Sequence, residues 1–348
     1  MKSVTQGWLA IGLSLAVTCS VAAQGLRARL GSEARSEMRV LGVDAAGNIR
    51  MMAGTADVGE VLVPLATASE LSFVLPDAYQ RAQRLAFNAR PGEAAFLLRD
   101  LARALVPFVP TPGGNAGAVV RFYFELLLRS GDWDEAVAIG REVPLAGGGR
   151  SMVPGVVRLA DALLELKRID DAVAMAARVP VSPENREWRT LLRDFADNLL
   201  DNGHHAEAQV VLEKLRQAAG GEERDELDLL LAYADWHRGS TLGAAALVVR
   251  FADRVPVGRE ARALFRLLEG RVALANDDPQ QALDTLGQAL VGTSDANRWR
   301  LEMTAVTAQA YRAAGSEAVA NSIESDLRRI YPQSRRAGAA PRSAADAR

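Results

Sequence analysis

Small residues recur along most of this chain at a near-constant interval, and this repeat constrains the fold more than any other feature. Seven alanines follow one another at intervals of 42, 36, 36, 36, 38 and 38 residues. They are Ala94, Ala136, Ala172, Ala208, Ala244, Ala282 and Ala320. Twelve positions before each alanine stands another small or apolar residue. These are Ala82, Phe124, Ala160, Ala196, Ala232, Gly270 and Ala308.

This spacing predicts pairs of antiparallel helices joined by short turns. Two helices approach closely only where their contacting side chains are small, so each pair needs a small residue on both helices. Four of the seven turns carry a glycine five positions before the alanine, which suits the left-handed backbone that ends a helix. Those glycines are Gly131, Gly203, Gly239 and Gly315. One helical hairpin leaves an apolar face uncovered, so the hairpins are expected to stack.

The register resembles the tetratricopeptide repeat (TPR) family. The resemblance rests on the small residues twelve apart, the glycine between them, and Pro144, Pro180 and Pro332 after the second helix. The family period is 34 residues, whereas every interval here is longer, so the repeats are degenerate. The resemblance implies a mostly α fold, a right-handed α-solenoid of about seven hairpins over residues 77–332. It also implies protein or peptide partners.

The residues before the repeats predict a signal peptide and a small β segment. Lys2, an apolar run over residues 8–17 and the ending Val21-Ala22-Ala23 are typical of a secretory signal covering residues 1–23. We therefore expect an exported protein of the periplasm or cell envelope. It would meet the membrane only through this transient signal, unless Cys19 is lipidated. Four strands are expected at 38–43, 49–53, 61–65 and 70–75, within a β-rich segment 24–76. The Ala/Arg-rich tail 333–348 is expected to be disordered.

Composition and motifs favour binding over catalysis. A net charge of −2 gives no electrostatic reason to expect a nucleic-acid partner. The adjacent His204 and His205 are interpreted as part of a solvated turn, because adjacent side chains diverge on a helix. The glycine-rich stretches 111–115 and 145–150 lack the strand and the Lys-Ser/Thr of a phosphate-binding loop. We therefore expect no enzyme activity, no cofactor and no metal.

The remaining candidate is a surface for a partner. In the family, the first helix of each hairpin lines the ligand groove at repeat positions two, five, nine and twelve. Carried over by register, the partner-binding candidates are Arg121, Arg193, Asp197, Tyr233, Trp236, Arg271 and Arg312. Glu125, Asp161 and Gln309 share that register. We expect the groove to centre on Tyr233 and Trp236, although Trp236 could instead be a packing residue.

The predicted function is an exported scaffold or adaptor that binds a protein or peptide in the cell envelope. The alternatives are a glycan- or ligand-binding protein of the envelope, or an accessory subunit of an envelope enzyme. For a glycan, Trp188, Trp236 and Trp299 would be the stacking candidates.

Overall fold

The computed structural model describes residues 25–31, 37–53, 59–65, 67–68, 71–256 and 258–331. The expected signal peptide, Cys19 and the expected tail 333–348 lie outside these residues. The described residues divide into two compact units. Unit 1 comprises the described residues up to 163 together with 178–180, and unit 2 comprises 164–177 and those from 181 onward.

Unit 1 begins with an antiparallel sheet of five strands in the order β4-β3-β2-β1-β5. The strands are β1 (Arg27–Leu30), β2 (Met38–Val43), β3 (Asn48–Ala53), β4 (Glu60–Pro64) and β5 (Leu71–Phe73). The sequence analysis found β2 to β5 but missed β1. The sheet is not a simple meander, because β5 pairs with β1 at the opposite edge from β4. Ala28 and Phe73, which face each other in that pairing, are both buried.

The amide of Asn115 attaches the sheet to the helices. The backbone N–H of Phe73 donates to Asn115 Oδ1 at 2.8 Å, and Asn115 Nδ2 donates to the carbonyl of Phe73 at 2.8 Å. Asn115 thereby satisfies both backbone groups of a β5 residue, as a neighbouring strand would. The Phe73 ring also packs on Phe108, with ring centroids 5.0 Å apart. A sheet this small has too little core of its own, so this attachment supplies part of its support.

Fourteen α-helices, in seven sequential pairs, follow the sheet in the described chain, and the fold is a TPR-like array of helical hairpins. They are α1 (Asp77–Phe87), α2 (Pro91–Leu105), α3 (Ala116–Ser130), α4 (Trp133–Glu142), α5 (Val153–Glu165), α6 (Ile169–Arg178), α7 (Arg186–Asp201), α8 (His205–Ala218), α9 (Gly221–His237), α10 (Leu242–Arg250), α11 (Arg259–Ala275), α12 (Pro279–Gly292), α13 (Arg300–Ala313) and α14 (Glu317–Ile330). Within the described ranges, no helix is both long and apolar enough to cross a membrane.

All seven hairpin turns share one backbone feature. The four predicted glycines have φ between 74° and 92°. The three turns without glycine hold Ala89, Lys167 and Asp277 at φ of 56°, 64° and 59°. Each of these also stands five positions before the repeat alanine. The left-handed turn is therefore a property of the fold, and three repeats form it with a side chain that disfavours it.

The repeat alanines lie where the register places them, because all seven are fully buried. Close approach is most evident at Gly270, where an added Cβ would come within 2.6 Å of Leu286 Cγ. At another hairpin, a Cβ on Gly243 would lie 3.8 Å from the Cβ of Ala232. Small residues also join successive hairpins, since the alanines at 273, 282 and 310 form one buried cluster.

The glycine-rich stretch 145–150 has a packing role. An added Cβ would come within 1.7 Å of the Pro144 carbonyl oxygen at Gly149 and within 2.5 Å of the Val109 oxygen at Gly148. Backbone from two loops meets here at a distance that no side chain permits. These glycines therefore hold two connections together within unit 1.

Candidate partner-binding surface

A buried polar cluster occupies the helices that the family register assigns to the ligand groove in unit 2. Glu302 of α13 lies at its centre and is only 5% exposed. The Tyr233 hydroxyl donates to Glu302 Oε2 at 2.8 Å, and Arg271 Nη2 donates to Glu302 Oε1. His237 Nε2 lies 3.3 Å from the same Oε1. Side chains of α9 and α11 thus converge on one carboxylate from α13.

The charge of that carboxylate is stabilised by its partners. Burial raises the pKa of Glu302, but the Arg271 charge and the contacts with His237 and Tyr233 outweigh it. The net effect lowers the pKa from 4.5 to about 2. Glu302 therefore remains ionised at neutral pH, and it is suited to holding three helices together rather than to exchanging protons.

The residues just before α13 fill the space next to this cluster. Trp299 is 1% exposed, and its ring lies 4.8 Å from that of Tyr233 in an edge-to-face arrangement. Arg298 reaches α7, where its Nη1 lies 2.7 Å from Asp197 Oδ2 and its Nη2 donates to Asp201 Oδ1 at 2.9 Å. Its guanidinium also lies 4.6 Å from the centroid of the Trp299 ring.

Both carboxylates stabilise the charged form of Arg298. Burial lowers the pKa of Arg298, and the charges of Asp197 and Asp201 more than reverse this, so the pKa is raised. The centre of the predicted groove is therefore filled by the chain itself, through residues 298–302.

This arrangement corrects the expectation for two predicted site residues. Tyr233 and Arg271 are 2% and 9% exposed, so neither side chain faces an open groove. The cause is Glu302, which binds the polar atoms of both. Trp236 is half-buried, and the guanidinium of Arg271 lies 5.7 Å from its ring centroid. Trp236 thus packs beside the cluster at the end of α9.

The other predicted residues have different surroundings. Arg193 Nη2 donates to Glu226 at 2.7 Å, and its Nε lies 3.4 Å from Asp197. Arg312 pairs with a carboxylate of α14 at 2.7 Å. Arg121 is exposed in unit 1. Of the seven candidates, Arg193 alone lines a cleft of about 770 Å³ in unit 2.

Sequence reasoning missed the residues that fill the groove. Glu302 stands at repeat position two of the last hairpin, so the same register could have identified it. Trp299 was considered only as a glycan-stacking residue, a role that its burial rules out. The interpretation of His205 was also wrong, because its ring stacks on that of His237 at 4.3 Å and 11°. That pairing joins residues from two hairpins, which local sequence does not indicate.

The accessible part of this surface is a cleft of about 770 Å³ at the N-terminal ends of α7, α9 and α11. Two ion pairs cross it, Arg189 with Glu223 at 3.0 Å and Arg193 with Glu226 at 2.7 Å. Apolar side chains lie between and beside these charges. They are Leu215, Leu227, Val255, Pro256 and Ala261.

The described residues include no group of three His, Cys, Asp or Glu placed to hold a metal ion. The lining of the cleft combines apolar side chains with paired charges, a mixture also found in protein interfaces.

Comparison with known proteins finds only distant structural similarity. No family model and no curated protein matches the chain. Two solved structures are similar to it, both of TPR-like repeats from a Podosopora anserina protein described as a kinesin light chain. The first is 17% identical with a TM-score of 0.23, and the likeness covers 75% of this chain and 96% of that one. The second is a single-substitution variant of those repeats, 17% identical with a TM-score of 0.22. It covers 73% of this chain and 92% of that one.

Proposed function

We propose that this protein is an exported helical-repeat scaffold that binds a protein or peptide partner in the cleft at the N-terminal ends of α7, α9 and α11. The observation that carries the proposal is the cleft itself, at about 770 Å³. Pockets that bind ligands usually measure about 300–1,000 Å³. The centre of the predicted groove is already filled by residues 298–302, so this cleft is the accessible part of the same helix surface.

The walls of the cleft suit a polypeptide. The ion pairs leave 42% of the Glu223 side chain and 35% of the Glu226 side chain exposed, so these carboxylates keep lone pairs that can accept hydrogen bonds from a partner. The apolar residues between them offer contact area that gains free energy when water leaves. An extended segment advances about 3.3 Å per residue and presents alternate side chains to one face. Such a segment matches a cleft that runs across three successive helix ends.

A steric substitution inside the cleft tests the proposal. Thr190 is an exposed residue of α7 that lines the cleft, so Thr190→Trp would fill it without disturbing the core. Gln217→Trp is the matched control, because Gln217 is an exposed residue of α8 outside the lining. Wild type and both variants would be used as bait in envelope extract, with retained proteins identified by mass spectrometry. Substitutions at exposed sites usually change stability by less than about 0.5 kcal/mol, and melting curves would verify this.

We expect one partner to be retained by wild type and by Gln217→Trp, and to be lost with Thr190→Trp. Retention by all three proteins would show that the partner does not use this cleft. The export part of the proposal has its own measurement, N-terminal sequencing of the mature protein. Cleavage after Ala23 would support it, whereas an intact Met1 or a lipid on Cys19 would contradict a soluble exported protein.

A further inference from the structure

A second cleft, of about 580 Å³, lies between the first turns of α11 and the last turn of α12. Its lining includes Arg259, Arg262 and Arg266, together with the amide of Gln288 and the hydroxyl of Ser294. Among the described residues, no Asp or Glu lines it. The first cleft differs in this respect, because its arginines are opposed by glutamates. The second cleft therefore presents several hydrogen-bond donors, and its lining carries a net positive charge, although Glu269 outside the lining pairs with Arg266.

The three arginines form a row. They stand at i, i+3 and i+7 of one helix, so they share a face. With a rise of about 1.5 Å per residue, they are offset along the axis by about 4.5 Å and about 6 Å. The row therefore spans about 10.5 Å along one face of α11.

Two of these arginines are held in place by their surroundings. Arg262 Nε donates to the Pro256 carbonyl at 3.3 Å. The guanidinium of Arg266 lies 5.5 Å from the Phe265 ring centroid, and its Nη1 donates to Glu269 at 2.6 Å. Side chains that are already ordered lose less entropy when a ligand binds.

The acid next to the lining residue Ser294 in the sequence already pairs with an arginine. Asp295, 94% exposed, lies 3.0 Å from Arg300 Nε, and it does not line the cleft. Arg259, at the opposite end of the row, is exposed. Its five N–H donors can therefore serve a ligand carboxylate in the bidentate geometry that arginine favours.

We infer that this cleft binds an acidic segment of the protein partner, with Asp or Glu side chains facing the row of Arg259, Arg262 and Arg266. The inference rests on the proposed function, since it assigns the chemistry of one part of the partner. The first turn of α11 borders both clefts, because Gly258 and Ala261 line the first and Arg259 and Arg262 line the second. A partner held in the first cleft can thus extend into the second. The recessed shape, between two helices, fits a polypeptide better than it fits a flat membrane surface.

Fluorescence anisotropy with the full chain tests this inference. The probe is a dye-labelled peptide of repeated Glu-Ser, and the matched probe is repeated Lys-Ser. The test variant is Arg259→Ser with Arg262→Ser. The control is Arg328→Ser with Arg329→Ser, which removes the same charge from exposed positions of α14. We expect the Glu-Ser peptide to bind, the Lys-Ser peptide not to bind, and the test variant to raise Kd about tenfold or more, the equivalent of one good charged hydrogen bond. The control should match wild type.

Two results would overturn the inference. One is equal Glu-Ser binding by the test variant and wild type. The other is no peptide binding at all, including the case in which phosphatidylglycerol vesicles bind in its place and lose binding with the test variant. The Thr190→Trp retention assay keeps the two proposals distinct. A partner lost with Thr190→Trp but retained by the α11 double variant would leave the proposed function standing and refute the acidic segment. Peptide binding without any partner sensitive to Thr190→Trp would refute the first cleft as the partner site.

Discussion

Glu302→Gln removes the negative charge on which α9, α11 and α13 converge, and it keeps the size of the side chain. In the wild-type protein, Arg271 and Tyr233 both donate to this carboxylate, and His237 lies 3.3 Å from it. The neutral amide cannot neutralise the Arg271 guanidinium, which is only 9% exposed. Removing one partner of a buried ion pair costs about 3–5 kcal/mol.

The lowered pKa gives an independent magnitude and a direction with pH. The pKa of Glu302 falls from 4.5 to about 2 on folding, since the attraction to Arg271 and its other partners exceeds the cost of burial. At 1.36 kcal/mol per pKa unit, the ionised carboxylate contributes about 3 kcal/mol to the free energy of unfolding. Because the folded pKa is the lower one, this contribution is complete above pH 4.5. It is lost as the pH falls toward 2, with about 1 kcal/mol gone by pH 3.5.

Urea denaturation followed by circular dichroism, at pH 7 and at pH 3.5, measures both effects. We expect Glu302→Gln to be about 3 kcal/mol less stable than wild type at pH 7, with the difference smaller by about 1 kcal/mol at pH 3.5. Glu187→Gln, at an exposed position of α7, is the control and should match wild type at both values. A difference below about 1 kcal/mol at pH 7, or one that does not change with pH, would refute the account of this cluster.

Two further predictions concern the hairpins, and melting temperatures measure both. Gly270→Ala should destabilise the protein by about 1–3 kcal/mol, because its Cβ would lie 2.6 Å from Leu286 Cγ. Gly287→Ala in α12 is the control, because no atom lies within 4 Å of its added Cβ, and it should stabilise the protein by about 0.5–1 kcal/mol. If the two substitutions change the melting temperature equally, the close helix crossing is not at Gly270. Lys167→Gly should stabilise by up to about 1 kcal/mol, since it relieves a side chain at φ 64°. Gly203→Ala, at φ 80° with open space around it, should destabilise the protein by about 1 kcal/mol. A less stable Lys167→Gly variant together with a more stable Gly203→Ala variant would contradict the shared turn geometry.

The sequence alone determined the hairpin repeat, because the physical requirements behind it are local. A tight turn between antiparallel helices needs a left-handed residue, and a close crossing needs a small one, so Gly203 and Ala208 appear five positions apart. Even the repeats that lack glycine keep this spacing, as Lys167 and Ala172 do. The β2–β3 hairpin was equally predictable, since alternating apolar residues flank a turn that Asp44 caps by accepting from the N–H of Asn48 at 2.8 Å.

Only the tertiary structure decided which part of the predicted groove is filled by residues 298–302 and which part remains open. Arg298 bonds to Asp201, 97 positions earlier, and Tyr233 bonds to Glu302, 69 positions later. Whether such residues meet depends on the small rotations between successive hairpins, which add up over three repeats and leave no periodic mark in the sequence. The placement of β5 beside β1 follows the same logic. Alternation of apolar residues specifies which face of a strand is buried, whereas the choice of neighbouring strand depends on the helices that the strand must reach, here through Asn115.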